Sequence, residues 1–226
     1  MKLREPMKLS EKTISLLKNF SDINQSILFK KGNKLRTISV MKNILAEADI
    51  PEDFPKDFGI YDLNQFLRGL FLHNQPELDF TNDGHVVIRE GKTRSKYFFA
   101  EPSVIVTPPD KELTLPNVDV EFEISTEQLD KVRKAVLAFQ LPDLSVVGQA
   151  GVVKLVVHDK KNDTSNDFQV MVGETESEFC FNFKVENIKI LPGSYHVDIS
   201  SKLLSKFTNN DCDLTYYIAL EPDSSF

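Results

Sequence analysis

Three stretches of the chain carry residue types whose spacing suggests chemistry. "REGKTRS" ends in Gly91-Lys92-Thr93, the tail of a phosphate-binding loop, where the lysine and hydroxyl would grip the terminal phosphates of a nucleotide. That loop needs a glycine where Val86 stands and a helix where "SKYFFA" reads as a strand, so a hairpin turn is expected instead. "DFTNDGHVVIRE" sets Asp79, Thr81, Asp83, Gly84 and Glu90 in the order of a calcium loop. Its second half alternates like a strand, however, and Asn82-Asp83-Gly84 is a hairpin-turn signal. The four histidines, His73, His85, His158 and His196, fall in different elements without ligand spacing, and Cys180 and Cys212 show neither metal spacing nor disulfide density. There is no G-x-S-x-G and no succession of nucleophile, base and orienting acid. No catalytic residue, cofactor or metal is therefore expected, and the chain is read as a non-enzyme.

A different chemistry is carried by the basic side chains of "STEQLDKVRKAVLAFQ", residues 125–140. Lys131 and Lys134, with Arg133 at the flank, lie on the polar side of an amphipathic helix in a chain of net charge −7. Flexible lysines attract phosphates without fixing a register. The attraction is screened over a Debye length of about 8 Å at physiological salt. Such contacts do not by themselves hold an acidic protein on nucleic acid, so retention would need a topological cause such as a closed ring.

The elements that would position these residues recur in the two halves of the chain. "LSEKTISLLKNF" has Ser10 as N-cap and an inward stripe of Ile14, Leu17 and Phe20. "ISTEQLDKVRKAVLAF" repeats the design with Ser125, a capping box through Gln128, and Leu129, Val132, Val136 and Phe139 inward. A second pair follows. "YDLNQFLRGLFL" is capped by Asp62, and "FKVENIKILPG" is predicted as a short helix with Val185 and Ile188 inward. Both pairs are separated by about half the chain, the mark of a duplicated unit. Outward faces then carry Lys12, Ser15, Lys18 and Asn19; Asn64, Gln65 and Arg68; Lys131, Arg133 and Lys134; and Lys184, Asn187 and Lys189, with Glu11, Glu127, Asp130 and Glu186 among them.

Between the helices lie alternating or β-branched runs with hairpin turns, including "QSILFK", "KLRTISV", "HVVIRE", "SKYFFA", "GVVKLVVHD", "NDFQVMVG", "EFCFNF", "SYHVDIS" and "LTYYIAL". The predicted class is α+β: two similar domains, each an antiparallel sheet with two helices on one face. Domains are expected over 1–107 and 118–226, joined by a proline-rich crossover at 108–117. No apolar run approaches the ~18 residues of a membrane span, and the start of the chain lacks a signal-peptide pattern. A reducing cytoplasm is the expected setting.

"MKLSEKTISLLKNFSDINQSIL" from Met7, "IYDLNQFL", "NFKVENIKILPGSYHV" and "YYIALEPDSS" together resemble the sliding clamps of T-even-type bacteriophages, the processivity factors of the phage DNA polymerase. The resemblance runs from Met7 to Phe226. It leaves "MKLREP" as an extension, and it holds only in pattern over "KTRSKYFFAEPSVIVTPP" and residues 141–180. It implies the clamp fold and a homotrimeric ring around double-stranded DNA of any sequence. It also implies an ATP-driven clamp loader, tethering of the DNA polymerase and of late-transcription proteins, and the cytoplasm of an infected bacterium. On this reading Lys12, Lys18, Arg68, Lys131, Arg133, Lys134 and Lys189 face the DNA. Leu113, Leu115, Tyr217, Ala219 and Pro222 would receive partner peptides. Tyr97 and Phe99 of "SKYFFA", or else "SVIVT", would meet Phe168, Val170 and Val172 of a neighbouring subunit. The alternative is a ring-forming capsid or tail protein, which accounts for the acidity but not for the duplicated helix faces.

Overall fold

Ser10, extended at φ −70° and ψ 158°, starts the first helix by accepting a hydrogen bond from the Thr13 N–H. A computed structural model describes residues 6–162 and 164–226; Met1–Glu5, most of the expected extension, lie outside the described residues. The chain forms two compact units, one ending at Asp110 and one spanning Lys111–Phe226.

The first unit runs α1 (Glu11–Ile23), β1 (Ile27–Phe29), β2 (Gly32–Ile38), β3 (Ile44–Phe54), β4 (Phe58–Ile60), α2 (Leu63–Leu70), β5 (Glu77–Asp79), β6 (His85–Glu90) and β7 (Thr93–Phe98). Strand β1 pairs with β4, β2 with β3, and β5, β6 and β7 form a meander, all antiparallel. Phe29 stacks on Phe58 with centroids 4.5 Å apart, and Phe54 meets it edge-on at 4.8 Å. α1 buries Leu16, Leu17, Phe20 and Ile23. Asn19, expected outward, is buried at 8% exposure, and Ile14, expected inward, is half-exposed. The inward stripe is thus rotated from the one expected, because Leu16 and Thr13 also face the sheet.

Strand β3 was not legible as a strand, yet it is the longest. Its sequence "ILAEADIPEDF" alternates from Ala46 onward, with Ala46, Ala48, Ile50, Glu52 and Phe54 buried. The buried Glu52 is the exception that explains itself. Its carboxylate accepts hydrogen bonds from the Ser10 N–H and the Thr13 hydroxyl, at the positive end of α1. On the opposite face Glu47 pairs with Arg36 of β2 at 3.3 Å.

The decoy motifs resolve into turns. Gly91 sits at φ +54° in the β6–β7 hairpin, a conformation glycine adopts without strain. Glu90 turns its carboxylate to the N–H groups of Asn74 and Gln75, at 2.9 and 3.0 Å, away from Asp79 and Asp83.

The second unit runs β8 (Val120–Ile124), α3 (Thr126–Phe139), β9 (Asp143–Gln149), β10 (Val152–His158), β11 (Phe168–Glu174), β12 (Phe179–Lys184), β13 (Tyr195–Ser200), β14 (Leu204–Asn209) and β15 (Leu214–Ala219). Two antiparallel arrays form, β11-β10-β9-β12 and β15-β14-β13-β8. α3 carries the capping box read from Ser125 and Gln128. It buries Leu129, Val132 and Ala135 rather than the full expected stripe; Val136 is half-exposed and Phe139 is 45% exposed.

The helix expected over "FKVENIKILPG" does not form. Phe183 and Lys184 end β12, Val185–Asn187 make one 3-10 turn, and the chain continues without regular structure. Distant side chains take the backbone groups a helix would use. Arg133 donates to the Ile190 carbonyl, the Leu191 N–H donates to the Tyr216 hydroxyl at 3.1 Å, and Tyr195 donates to the Leu191 carbonyl at 2.8 Å. A segment this short before Pro192-Gly193 cannot offset the cost of helix nucleation against such competitors. The architecture is therefore α+β with antiparallel sheets and three α-helices among the described residues, two in the first unit and one in the second.

Candidate nucleic-acid interface

In the first unit α1 and α2 are joined at their ends. The Leu63 N–H donates to the Gln25 carbonyl at 2.8 Å, and Ser21 donates to Asn64 Oδ1 at 3.0 Å. Asp62 caps α2 through the Gln65 N–H at 2.7 Å. This leaves Lys18 and Arg68 exposed and Lys12 half-buried. Lys18 rests over the Phe71 ring at 4.7 Å, a cation–π contact that holds the ammonium near the C-terminal end of α2. The exposed ridge of α1 also contains Glu11 and Asp22, so its charge is mixed rather than basic.

In the second unit Lys131 and Lys134 are exposed on α3. Lys131 is bridged to Glu127 one turn earlier at 2.7 Å, and the same contact holds the Glu127 carboxyl below the usual range. Arg133, expected beside them, turns instead to the Ile190 carbonyl. Lys189, expected on a helix, lies half-buried after the 3-10 turn. Beside α3, Leu129, Val132, Val136, Leu137, Val185 and Ile188 line an apolar groove of about 220 Å³, and Leu137 is 77% exposed.

The sheet edges are specific in a way the sequence only partly shows. Strand β7 is an edge of its meander and β11 an edge of its array. Tyr97 and Phe99 do not point away from that edge. Tyr97 donates to the Asp62 carbonyl at 2.9 Å and meets Phe66 edge-on, and Phe99 packs at 5.0 Å from Phe58. The aromatic turned outward is Phe98, 69% exposed. A one-residue change of face exchanges the two sets, and the β6–β7 register, with Glu90 opposite Thr93, is the signal that identifies the correct one. "SVIVT" supplies no strand; Pro102–Val104 form a 3-10 turn. On β11, Phe168, Val170 and Val172 are half-exposed along one face, while Met171 is 59% exposed on the other.

Of the residues expected to receive partners, Leu113 and Leu115 are half-exposed in a stretch without regular structure. Tyr217 is 7% exposed on β15, with Ala219 half-exposed at the end of the strand and Pro222 exposed beyond it. No helix among the described residues is long and apolar enough to cross a membrane.

Comparison with known proteins places this architecture. The family of DNA polymerase processivity factors matches residues 8–107, and the C-terminal domain of the gp45 sliding clamp matches residues 121–222. The sliding clamp of Vibrio phage KVP40 is 34% identical over 221 residues, covering 95% of this chain and 99% of that protein. The sliding clamps of Escherichia phage RB69 and Enterobacteria phage T4 are each 31% identical over 228 residues, covering 97% of this chain and 99% of theirs. Among solved structures, the Archaeoglobus protein in "C-terminal region of FEN-1 bound to A. fulgidus PCNA" superposes with a TM-score of 0.70 at 13% identity, over 97% of this chain and all of that one. Proliferating Cellular Nuclear Antigen from Entamoeba histolytica gives the same score and identity over 98% of this chain and all of that one. At that identity the likeness concerns the fold. The full-length matches to phage proteins decide the family: the chain belongs to the phage sliding clamps, the DNA polymerase processivity factors.

Proposed function

We propose that three copies of this chain close into a ring around duplex DNA and tether the phage DNA polymerase, acting by encirclement rather than by catalysis. The observation that carries this reading is the pair of open strand edges. Strand β7 in the first unit and β11 in the second are each unpaired on one side, and each edge carries apolar side chains. Two different edges on one chain suit a heterologous contact that closes by rotation. Left open, they would be sites of uncontrolled pairing. In this reading Phe98 joins Phe168, Val170 and Val172 at the subunit contact, while Tyr97 and Phe99 support the strand from within.

Lys18, Arg68, Lys131 and Lys134 line the hole, with Lys12 and Lys189 as less exposed contributors, while Arg133 is engaged by the Ile190 carbonyl. Three copies carry a formal charge of 3 × −7 = −21, so the lysines would act locally inside an acidic ring. The domains are 1–107 and 118–226 with a crossover at 108–117. Leu113, Leu115, Tyr217, Ala219 and Pro222 form the surface for partner peptides. The partners are the polymerase, an ATP-driven clamp loader and late-transcription proteins in the host cytoplasm. Mass in solution across a concentration series tests the assembly. A species of three times 25.7 kDa at micromolar concentration is expected, and a strict monomer at tens of micromolar removes the ring.

A further inference from the structure

Linear spacing hides a cluster that sheet register assembles. His196 and Asp198 lie two residues apart on β13 and share a face. Across the ladder with β8, His196 stands opposite Glu123 and Asp198 opposite Glu121. His196 Nδ1 is 2.7 Å from Glu123 Oε1, and Nε2 is 3.0 Å from Asp198 Oδ1. One ligand atom from each of Glu121, His196 and Asp198 falls within 4.8 Å of the others. From the other side, β14 presents Thr208 opposite His196 and Lys206 opposite Asp198. The Asn210 amide donates to Glu123 Oε2 at 2.9 Å.

Two features set this group apart from scattered surface charge. Glu121 and Asp198 are like charges directly opposed on the β8–β13 ladder; Lys206 flanks Asp198 from β14, and a cation between the two carboxylates would relieve their repulsion across β8 and β13. The imidazole is also held as a metal ligand is held. In the tautomer that donates Nδ1–H to Glu123, which Asn210 anchors in turn, the Nε2 lone pair faces Asp198 Oδ1. A carboxylate gripping the far nitrogen fixes the tautomer and raises ligand basicity. We infer that Glu121, His196 and Asp198 bind one divalent transition-metal ion of the zinc class, with Glu123 orienting the ring.

One imidazole nitrogen and two carboxylate oxygens suit zinc better than calcium or magnesium, which favour all-oxygen sets. The ion would clip β8, the terminal strand of this array within the second unit, to β13.

Calorimetric titration of ZnCl2 into the chelator-treated full chain at pH 7.5 tests this. One zinc per chain is expected, with a higher Tm in zinc. His196→Asn should weaken binding at least tenfold and abolish the Tm rise, and Glu123→Gln should weaken it by about 10–100-fold. Asp83→Asn, on a remote loop, should change nothing. Absence of stoichiometric binding to the wild-type chain, or equal binding by the folded His196→Asn chain, would overturn the assignment and leave adventitious surface carboxylates only.

Discussion

Arg133 and Lys134 are adjacent on α3 but are spent differently, and alanine at each should separate the two roles. The Arg133 guanidinium donates to the Ile190 carbonyl, and its stem lines the groove beside Leu129 and Val132. A hydrogen bond from a charged donor contributes about 1.5–3 kcal/mol, and its removal leaves a carbonyl without this partner in the segment that replaces the expected helix. Weaker stem packing adds to this. Arg133→Ala should cost about 2–3 kcal/mol in total. At about 2–4 °C per kcal/mol for a chain of this size, Tm should fall by roughly 5–10 °C. Lys134→Ala, at an exposed position, should stay within about 0.5 kcal/mol of wild type.

On DNA the order reverses. The slope of log affinity against log salt should fall by about 0.9 for each phosphate that Lys134→Ala no longer neutralises, and it should stay unchanged in Arg133→Ala measured well below its Tm. Thermal unfolding by circular dichroism and salt-dependent binding to nicked circular DNA provide the two readings. An Arg133→Ala protein of wild-type Tm whose salt slope is reduced would show that the arginine serves phosphate, refuting its structural assignment.

Glu52→Ala removes the acceptor for the Ser10 N–H and the Thr13 hydroxyl. It should destabilise the chain by about 2–3 kcal/mol in urea unfolding, as expected for buried donors left unpaired. Phe98→Asp should weaken self-association in sedimentation experiments without lowering Tm at matched monomer concentration. Tyr97→Phe should cost about 1 kcal/mol by removing the hydrogen bond to Asp62, with association intact. Asp143 is 1% exposed; burial pushes its carboxyl up, but the hydrogen bonds from Lys184 Nζ and the Lys160 N–H prevail and hold it below 3.8. Its stabilisation is therefore full above about pH 4 and is lost as pH falls through the depressed value. Asp143→Asn should flatten this part of the acid-unfolding curve below pH 4.

What the sequence revealed was mostly local. Ser10, Asp62 and Ser125 start helices because capping depends on residues within one turn, and all three were legible. The helix over 183–193 was misread because its two apolar positions fit a 3.6 period, while two of the side chains that divert the backbone, Arg133 and Tyr216, come from elsewhere in the fold. Strand β3 was hidden by Pro51 and its run of acids, of which Glu52 is inward only because α1 needs a partner there. The alternation of "SKYFFA" was visible, but not which half of it faced in; the Tyr97 hydroxyl, satisfied by Asp62, decides that. The His196 cluster joins strands 73 residues apart, beyond any motif written in linear spacing.

The central claim is topological and has a direct test. Clamp assembled on nicked circular duplex DNA is moved to a salt concentration that abolishes binding by free clamp, and the circle is then cut once. Retention on the intact circle with rapid loss after cleavage is the predicted result. Equal retention on the circular and linearised DNA would mean that adhesion, rather than encirclement, holds the protein in place.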